Sequence, residues 1–165
     1  MILITENLMI RKFNIDDTGA YFKNSQDAQI KKYMPNHSHG GESEAREEVK
    51  EFISGYAGAE PEQHYAVLKD GALIGHIGIG ASDGIAGACE ICCGIIGDYR
   101  GFNYASEAVG AFAPWCLDKF GLDKIYASTE PENIPAAKSL IKAGFILTDI
   151  KIENKELDTY VFKLI

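Results

Sequence analysis

One stretch constrains this chain more than any other. The apolar run Gly87–Ile96 leads into the short turn Arg100-Gly-Phe-Asn-Tyr-Ala105, and the amphipathic run Ala105–Phe120 follows directly. The first run reads as a long strand. The last carries Val109, Phe112, Trp115 and Cys116 on one helical face, and Gly121 suits a left-handed cap at its end. A small-residue turn between strand and helix leaves several backbone N–H groups unpaired and aimed outward. The helix dipole adds partial positive charge there, and Arg100 adds a full one. Such a turn suits a phosphate.

Periodicity places the remaining elements around it. Leu8–Phe13 reads as an opening strand, and Asn14-Ile-Asp-Asp17 as the cap of a helix reaching Ser25. A shorter helix is expected over Asp27–Tyr33, stopped by Pro35, then a loop over Asn36–Gly41. Glu42–Tyr56 reads as a charged helix with Val49, Phe52, Ile53 and Tyr56 on its apolar stripe. Tyr65–Leu68 and Leu73–Ile79 flank Lys69-Asp-Gly71, a hairpin signal. Lys124–Thr129 is a strand and Asn133–Ala143 a helix ended by Gly144. Phe145–Ile152 and Leu157–Leu164 close the chain as strands joined by a polar turn at Glu153-Asn-Lys155. No repeat or linker interrupts this order. Residues 1–165 are therefore expected to form one α/β (α+β) domain, a mixed sheet with helices on its faces.

Charge and apolar patterning exclude some partners. Sixteen Lys and Arg against 24 Asp and Glu give a net charge of −8, whereas duplex nucleic acid needs basic patches. No nucleic acid is expected as a partner; the acidic balance either favours a cationic one, an amine or a basic peptide, or is simply the common composition of a globular protein. No apolar run approaches the roughly 18 residues that suggest a membrane span. Met1–Glu6 has neither a basic region nor a cleavage pattern, so no export signal is read and a cytoplasmic location is expected.

The four cysteines are Cys89, Cys92, Cys93 and Cys116. Strand alternation puts Cys89 and Cys93 on one face and Cys92 on the other, which disfavours one metal between them. They are read as small apolar fillers in a reducing compartment. His37 and His39 have a spacing that suits a metal, but no third ligand is evident. Their loop is read as solvated, His64 and His76 as packing residues on strands, and no metal site is assigned. Glu42, Glu44, Glu47 and Glu48 either attract an amine or form the solvated face of their helix.

The order of elements, with the phosphate-type turn after the fourth strand, resembles the GNAT superfamily of N-acetyltransferases. Arg100, Gly101, Phe102, Asn103, Tyr104 and Ala105 stand where that family has Arg/Gln-x-x-Gly-x-Gly/Ala. The segments Thr5–Phe13, Cys89–Ala108, Leu122–Asn133 and Ala137–Phe145 are similar to its RimJ/RimL-like branch, which acetylates ribosomal-protein N-termini. The resemblance implies a mostly antiparallel sheet of about seven strands, with the fourth and fifth splayed to admit acetyl-CoA. It implies direct attack of a primary amine, on a protein N-terminus or a small molecule, on the thioester. Homodimers are frequent in that branch. A non-catalytic acyl-CoA-binding or sensing module of the same fold is the alternative.

The resemblance also implies roles for individual residues. The amides of Gly101–Ala105, with Arg100, would hold the pyrophosphate. The backbone of Ile95, Ile96 and Gly97 would pair with the pantetheine arm, and an N–H near Ile95 would meet the oxyanion. Asn133 would contact the pantetheine, cap its helix, or do both. Glu90 is the candidate base; its other reading is an exposed strand residue paired with a lysine. The usual proton donors are replaced by Leu140 and Ala136, which leaves Ser139 as the substitute. Asn103 replaces the usual Gly. Asn tolerates the left-handed conformation, so the turn survives, and its side chain is either merely tolerated, a contributor, or an obstacle to the phosphate. The loop Met34–Gly41 and the helix after it correspond to the region that shapes the acceptor pocket.

Overall fold

In the computed structural model, which describes residues 2–150 and 160–165, the chain begins with β1 (Leu3–Ile4) and β2 (Met9–Lys12), then α1 (Thr18–Ser25), α2 (Ala28–Tyr33) and α3 (Glu42–Gly55). It continues through β3 (Gln63–Lys69), β4 (Ala72–Ala81), β5 (Cys89–Ile95), α4 (Tyr104–Phe120), β6 (Ile125–Thr129), α5 (Ile134–Lys142), β7 (Ile146–Leu147) and β8 (Tyr160–Leu164). The eight strands form one sheet in the order β1-β2-β3-β4-β5-β6-β8-β7. The strand the sequence did not announce is β1, two residues long and therefore too short to show a period. Its presence moves the count by one, so the expected fourth and fifth strands are β5 and β6. The expected turn at 153–155, with residues 151–152 and 157–159 of the closing strands, lies outside the described residues, and the expected strand from Phe145 is strand only at Ile146–Leu147. Among the described residues, no helix is long and apolar enough to cross a membrane.

Turn chemistry sets the register. Asp70 and Gly71 both take positive φ, 50° and 83°, as a two-residue hairpin turn between right-twisted strands requires. The hairpin β3–β4 pairs His64 with Gly78 and Ala66 with His76, and β4 continues the same rows onto Cys92 and Gly94 of β5. Every neighbouring pair in the sheet is antiparallel except β5–β6, which is parallel and registered only at Glu90↔Tyr126.

The sheet is covered on both sides. One core gathers Ile91 and Ile95 of β5 with Val109 and Phe112 of α4 and Leu140 of α5. The second gathers Phe13, Tyr21 of α1, and Val49 and Phe52 of α3. The helix expected from Asp16 starts as a 3-10 turn over Ile15–Asp17, closed by a capping box between Asn14 and Asp17. Asp17 accepts two 2.7 Å hydrogen bonds from the Arg11 guanidinium and one from the Asn14 amide. Burial pushes the Asp17 carboxyl up, but these bonds and the charge of Arg11 outweigh it and hold it below the usual carboxylate range.

Candidate active site

The site begins with a gap in the sheet. The Ile96 N–H donates to the Ile74 carbonyl at 3.0 Å, so Ile95 and its partner Gly75 form the non-hydrogen-bonded type of antiparallel pair. The N–H and C=O of Ile95 therefore turn away from β4, toward β6. Because β6 meets β5 only at Glu90↔Tyr126, the strands part beyond that point. A cleft of about 1100 Å³ opens there, with Glu90, Ile95, Asn103, Asn133 and Ser139 in its walls. Ile96 and Gly97 differ from Ile95. The Ile96 carbonyl accepts from the Tyr99 amide, and the Gly97 N–H donates to Asp27 Oδ2 at 2.9 Å.

At one end of the cleft lies the turn. Gly101 and Asn103 both take positive φ, 84° and 66°, so Asn103 does adopt the left-handed conformation its residue type tolerates. Its side chain makes no cap bond to α4, so among the described residues the first-turn amides are left without a side-chain partner. Its carbonyl accepts from the Glu107 amide at 3.0 Å and from Ser106 Oγ at 2.9 Å. Phe102 is 62% exposed and stacks on Tyr104, which lines the cleft. Arg100 is not a free cation: its guanidinium pairs with Asp27. Asp27 also caps α2 through the amides of Gln29 and Ile30. Burial raises the Asp27 carboxyl, and Arg100 with the three amides outweighs that and holds it low.

Midway stand the chemical candidates. Among the described residues, Glu90 is paired with no lysine. Its Oε2 accepts from Ser82 Oγ at 2.8 Å and its Oε1 from Ser128 Oγ, so two hydroxyls from flanking segments fix the carboxylate at the rim of the gap. Asn133 caps α5, its Oδ1 accepting from the Ala136 amide at 3.4 Å. Ser139 lies on the same helix and wall, beside the buried Leu140.

At the other end the structure departs from the sequence reading. His37 and His39 are not in a solvated loop: their side chains are only 15% and 8% exposed. Glu48 is likewise turned inward and serves as a hub. It accepts from Tyr21 Oη at 2.7 Å, meets His37 Nδ1 at 2.9 Å, and lies 2.7 Å from His39 Nε2. The rings of His64 and His76 stand 5.1 and 4.6 Å from that of His37. Cys92 joins them, its Sγ 4.0 Å from His64 Nδ1. Burial alone would raise the Cys92 thiol, yet the neighbouring imidazoles of His64 and His37 bring it down to about 6. Burial lowers His37, and Cys92 and Glu48 outweigh that and raise it to about 10. His76 is fully enclosed and held well below the ordinary imidazole value by burial and by the other histidines. No local motif marks this cluster. Only the sheet register, with His64 and Cys92 in one row, would have brought its strand residues together.

The parted β5–β6 pair with an uncapped helix at its end is the arrangement expected of the GNAT superfamily, and the comparisons identify the class. Residues 7–146 match the family model described as an acetyltransferase (GNAT) domain. The chain belongs to the GNAT family of acetyltransferases. It is 30% identical over 171 residues to an uncharacterized N-acetyltransferase, YnaD, of Bacillus subtilis (strain 168), covering 100% of this chain and 97% of that protein. A crystal structure of a GNAT-family acetyltransferase from Bacillus anthracis superposes with a TM-score of 0.81 at 26% identity, covering 100% of this chain and 98% of that one. The fold is shared with RimL, a ribosomal L7/L12 α-N-protein acetyltransferase solved in complex with coenzyme A. That match has a TM-score of 0.82 at 14% identity and covers 99% and 97% of the two chains.

Proposed function

We propose that this acetyltransferase uses acetyl-CoA and transfers the acetyl group to a primary amine, either a protein N-terminus or a small amine. One observation carries the reading: the β5–β6 ladder stops after a single pair, and the turn with left-handed Gly101 and Asn103 lies at the end of the resulting cleft. The amides of Gly101–Ala105 suit the pyrophosphate, and Arg100 reaches it by leaving or sharing Asp27. Ile95 offers its N–H and C=O to the pantetheine arm as a strand would, and the same N–H suits the oxyanion. Ile96 and Gly97 border the arm with amides already engaged. Asn133 contributes through its amide group while its oxygen caps α5. The RimL neighbour, solved in complex with coenzyme A, supports this reading by fold.

The reaction then needs few parts. The neutral amine nitrogen attacks the thioester carbonyl carbon, and the C–N bond forms as the carbonyl π pair moves onto oxygen. Glu90 takes the amine proton, directly or through water, from a position fixed by Ser82 and Ser128. As the carbonyl re-forms, the C–S bond breaks, and the thiolate takes a proton from Ser139 or solvent.

Calorimetric titration with acetyl-CoA, followed by measurement of CoA thiol release against peptides with free N-termini and small amines, tests the proposal. Saturable binding with thiol release on one amine class is expected. Binding without release on any amine would turn the reading toward a sensing module, and absence of binding would overturn it.

A further inference from the structure

All four histidines of the chain, His37, His39, His64 and His76, gather at one end of the cleft around Cys92 and Glu48. The sheet builds the arrangement. His64, Gly78 and Cys92 form one cross-strand row over β3, β4 and β5. The middle residue has no side chain, and a Cβ there would lie 2.4 Å from His64 Nδ1. Glycine thus lets the imidazole lie across β4 toward the thiol. His37 arrives from the 3-10 turn Pro35–His37 after α2. The donor atoms of His37, His64 and Cys92 lie within 4.8 Å of one another.

We propose that His37, His64 and Cys92 form a binding site for a borderline-soft divalent cation, Zn²⁺ being the best fit. Two imidazoles and a thiolate are the donors such an ion selects. Ligands at zinc bond lengths of about 2.0–2.3 Å stand about 3.3–3.8 Å apart in a tetrahedron, so the present spacing closes with small rotations of the side chains. The surroundings match what metal-bound histidines require. His37 Nδ1 is engaged by the Glu48 carboxylate at 2.9 Å, which fixes the ring and leaves Nε2 to coordinate. The Tyr21 hydroxyl holds that carboxylate from behind at 2.7 Å. Charge closes as well: a dication, one thiolate and one carboxylate sum to zero, a state that burial tolerates.

The three ligands all face the cleft. The fourth position is therefore open to water or to a donor atom of the acceptor, the pattern of a reactive rather than a structural site. Cys93, the next residue, points to the opposite core and takes no part. The site does not depend on the acetyl-transfer reading, because it can be measured without acetyl-CoA.

Chelator-stripped protein is titrated with Co²⁺ and then with Zn²⁺. One Co²⁺ per chain is expected, with a thiolate-to-cobalt charge-transfer band that Zn²⁺ abolishes. Cys92→Ser removes the band, His64→Ala weakens Co²⁺ binding by at least about tenfold, and Glu48→Gln weakens it by about tenfold while keeping the band. Cys93→Ala changes nothing. Circular dichroism checks that each variant folds, and the Glu48→Gln result decides the matter if Cys92→Ser does not fold. Failure to bind either ion, binding without a thiolate band, or a band that survives Cys92→Ser would overturn the proposal. In each of those cases the cluster is a hydrogen-bonded thiol–imidazole network alone.

Discussion

The two ends of the cleft are built on opposite plans. The turn at Arg100–Ala105 presents backbone: its amides are oriented by two left-handed residues, Phe102 is exposed, and Arg100 is tied to Asp27. The histidine end presents side chains, delivered from the Pro35–His37 turn, α3, β3, β4 and β5 onto one spot. A backbone site tolerates any residue that keeps the dihedral angles. A side-chain site tolerates almost any backbone that keeps the groups in reach, but not a change of the groups themselves.

The largest effect expected from this contrast is at Glu90, on the same face of β5 as Cys92. Glu90→Gln should lower kcat by about 100-fold while leaving the acetyl-CoA Kd unchanged. Steady-state kinetics beside a binding titration would separate the two, and a parallel loss of affinity would blur the division between the ends. Next is Asp17, which anchors the start of the helix carrying Tyr21. Asp17→Asn should cost about 2 kcal/mol of stability near neutral pH. The folded carboxyl titrates below its unfolded value, so its stabilisation is complete above about pH 5 and is lost as pH falls through the folded value. Urea midpoints followed from about pH 6 to pH 3 should converge for the wild type and Asp17→Asn at the acid end. At the turn, Asn103→Val should weaken acetyl-CoA binding by about tenfold, because a β-branched residue resists positive φ. Asn103→Gly should stay within about threefold of the wild type, since glycine keeps the angles. Equal losses from both substitutions would mean that the Asn103 side chain itself touches the ligand. The smallest effect belongs to Ser139→Ala: a fall in kcat of about threefold with unchanged binding, as a thiolate of ordinary basicity leaves readily without help.

The same contrast explains what could be read from the sequence. The turn was legible because it is contiguous: strand, small residues and helix follow one another within Gly87–Phe120. Its partner was not. Asp27 lies 70 residues before Gly97, and nothing local says that a helix cap will also take the Arg100 guanidinium. Glu90 was legible as a strand carboxylate, but its two serine partners come from neighbouring segments on either side. The helices, the Asp-Gly hairpin and the α/β layering followed from period and turn residues. The two-residue β1 escaped because two positions carry no period. The histidine cluster escaped for a topological reason. His37 and His39 look solvated beside Gly40 and Gly41, and Glu48 looks like one more charge on a polar helix face. Only the packing of α1 and α3 over the β3–β5 rows reverses both impressions.

Asp27 joins the turn to the wall of the cleft. It holds Arg100 and Gly97 beside the turn, and it caps the short helix whose Gln29, Ile30 and Tyr33 line the cleft. If the proposed pyrophosphate draws off Arg100, it would change the load on this carboxylate and, through the cap, the wall formed by α2. On the proposed reading, the two substrates would then bind in sequence, the nucleotide first and the acceptor against a wall already adjusted. Product-inhibition patterns should accordingly be those of an ordered sequence in the wild type, and Asp27→Asn should shift them toward random order.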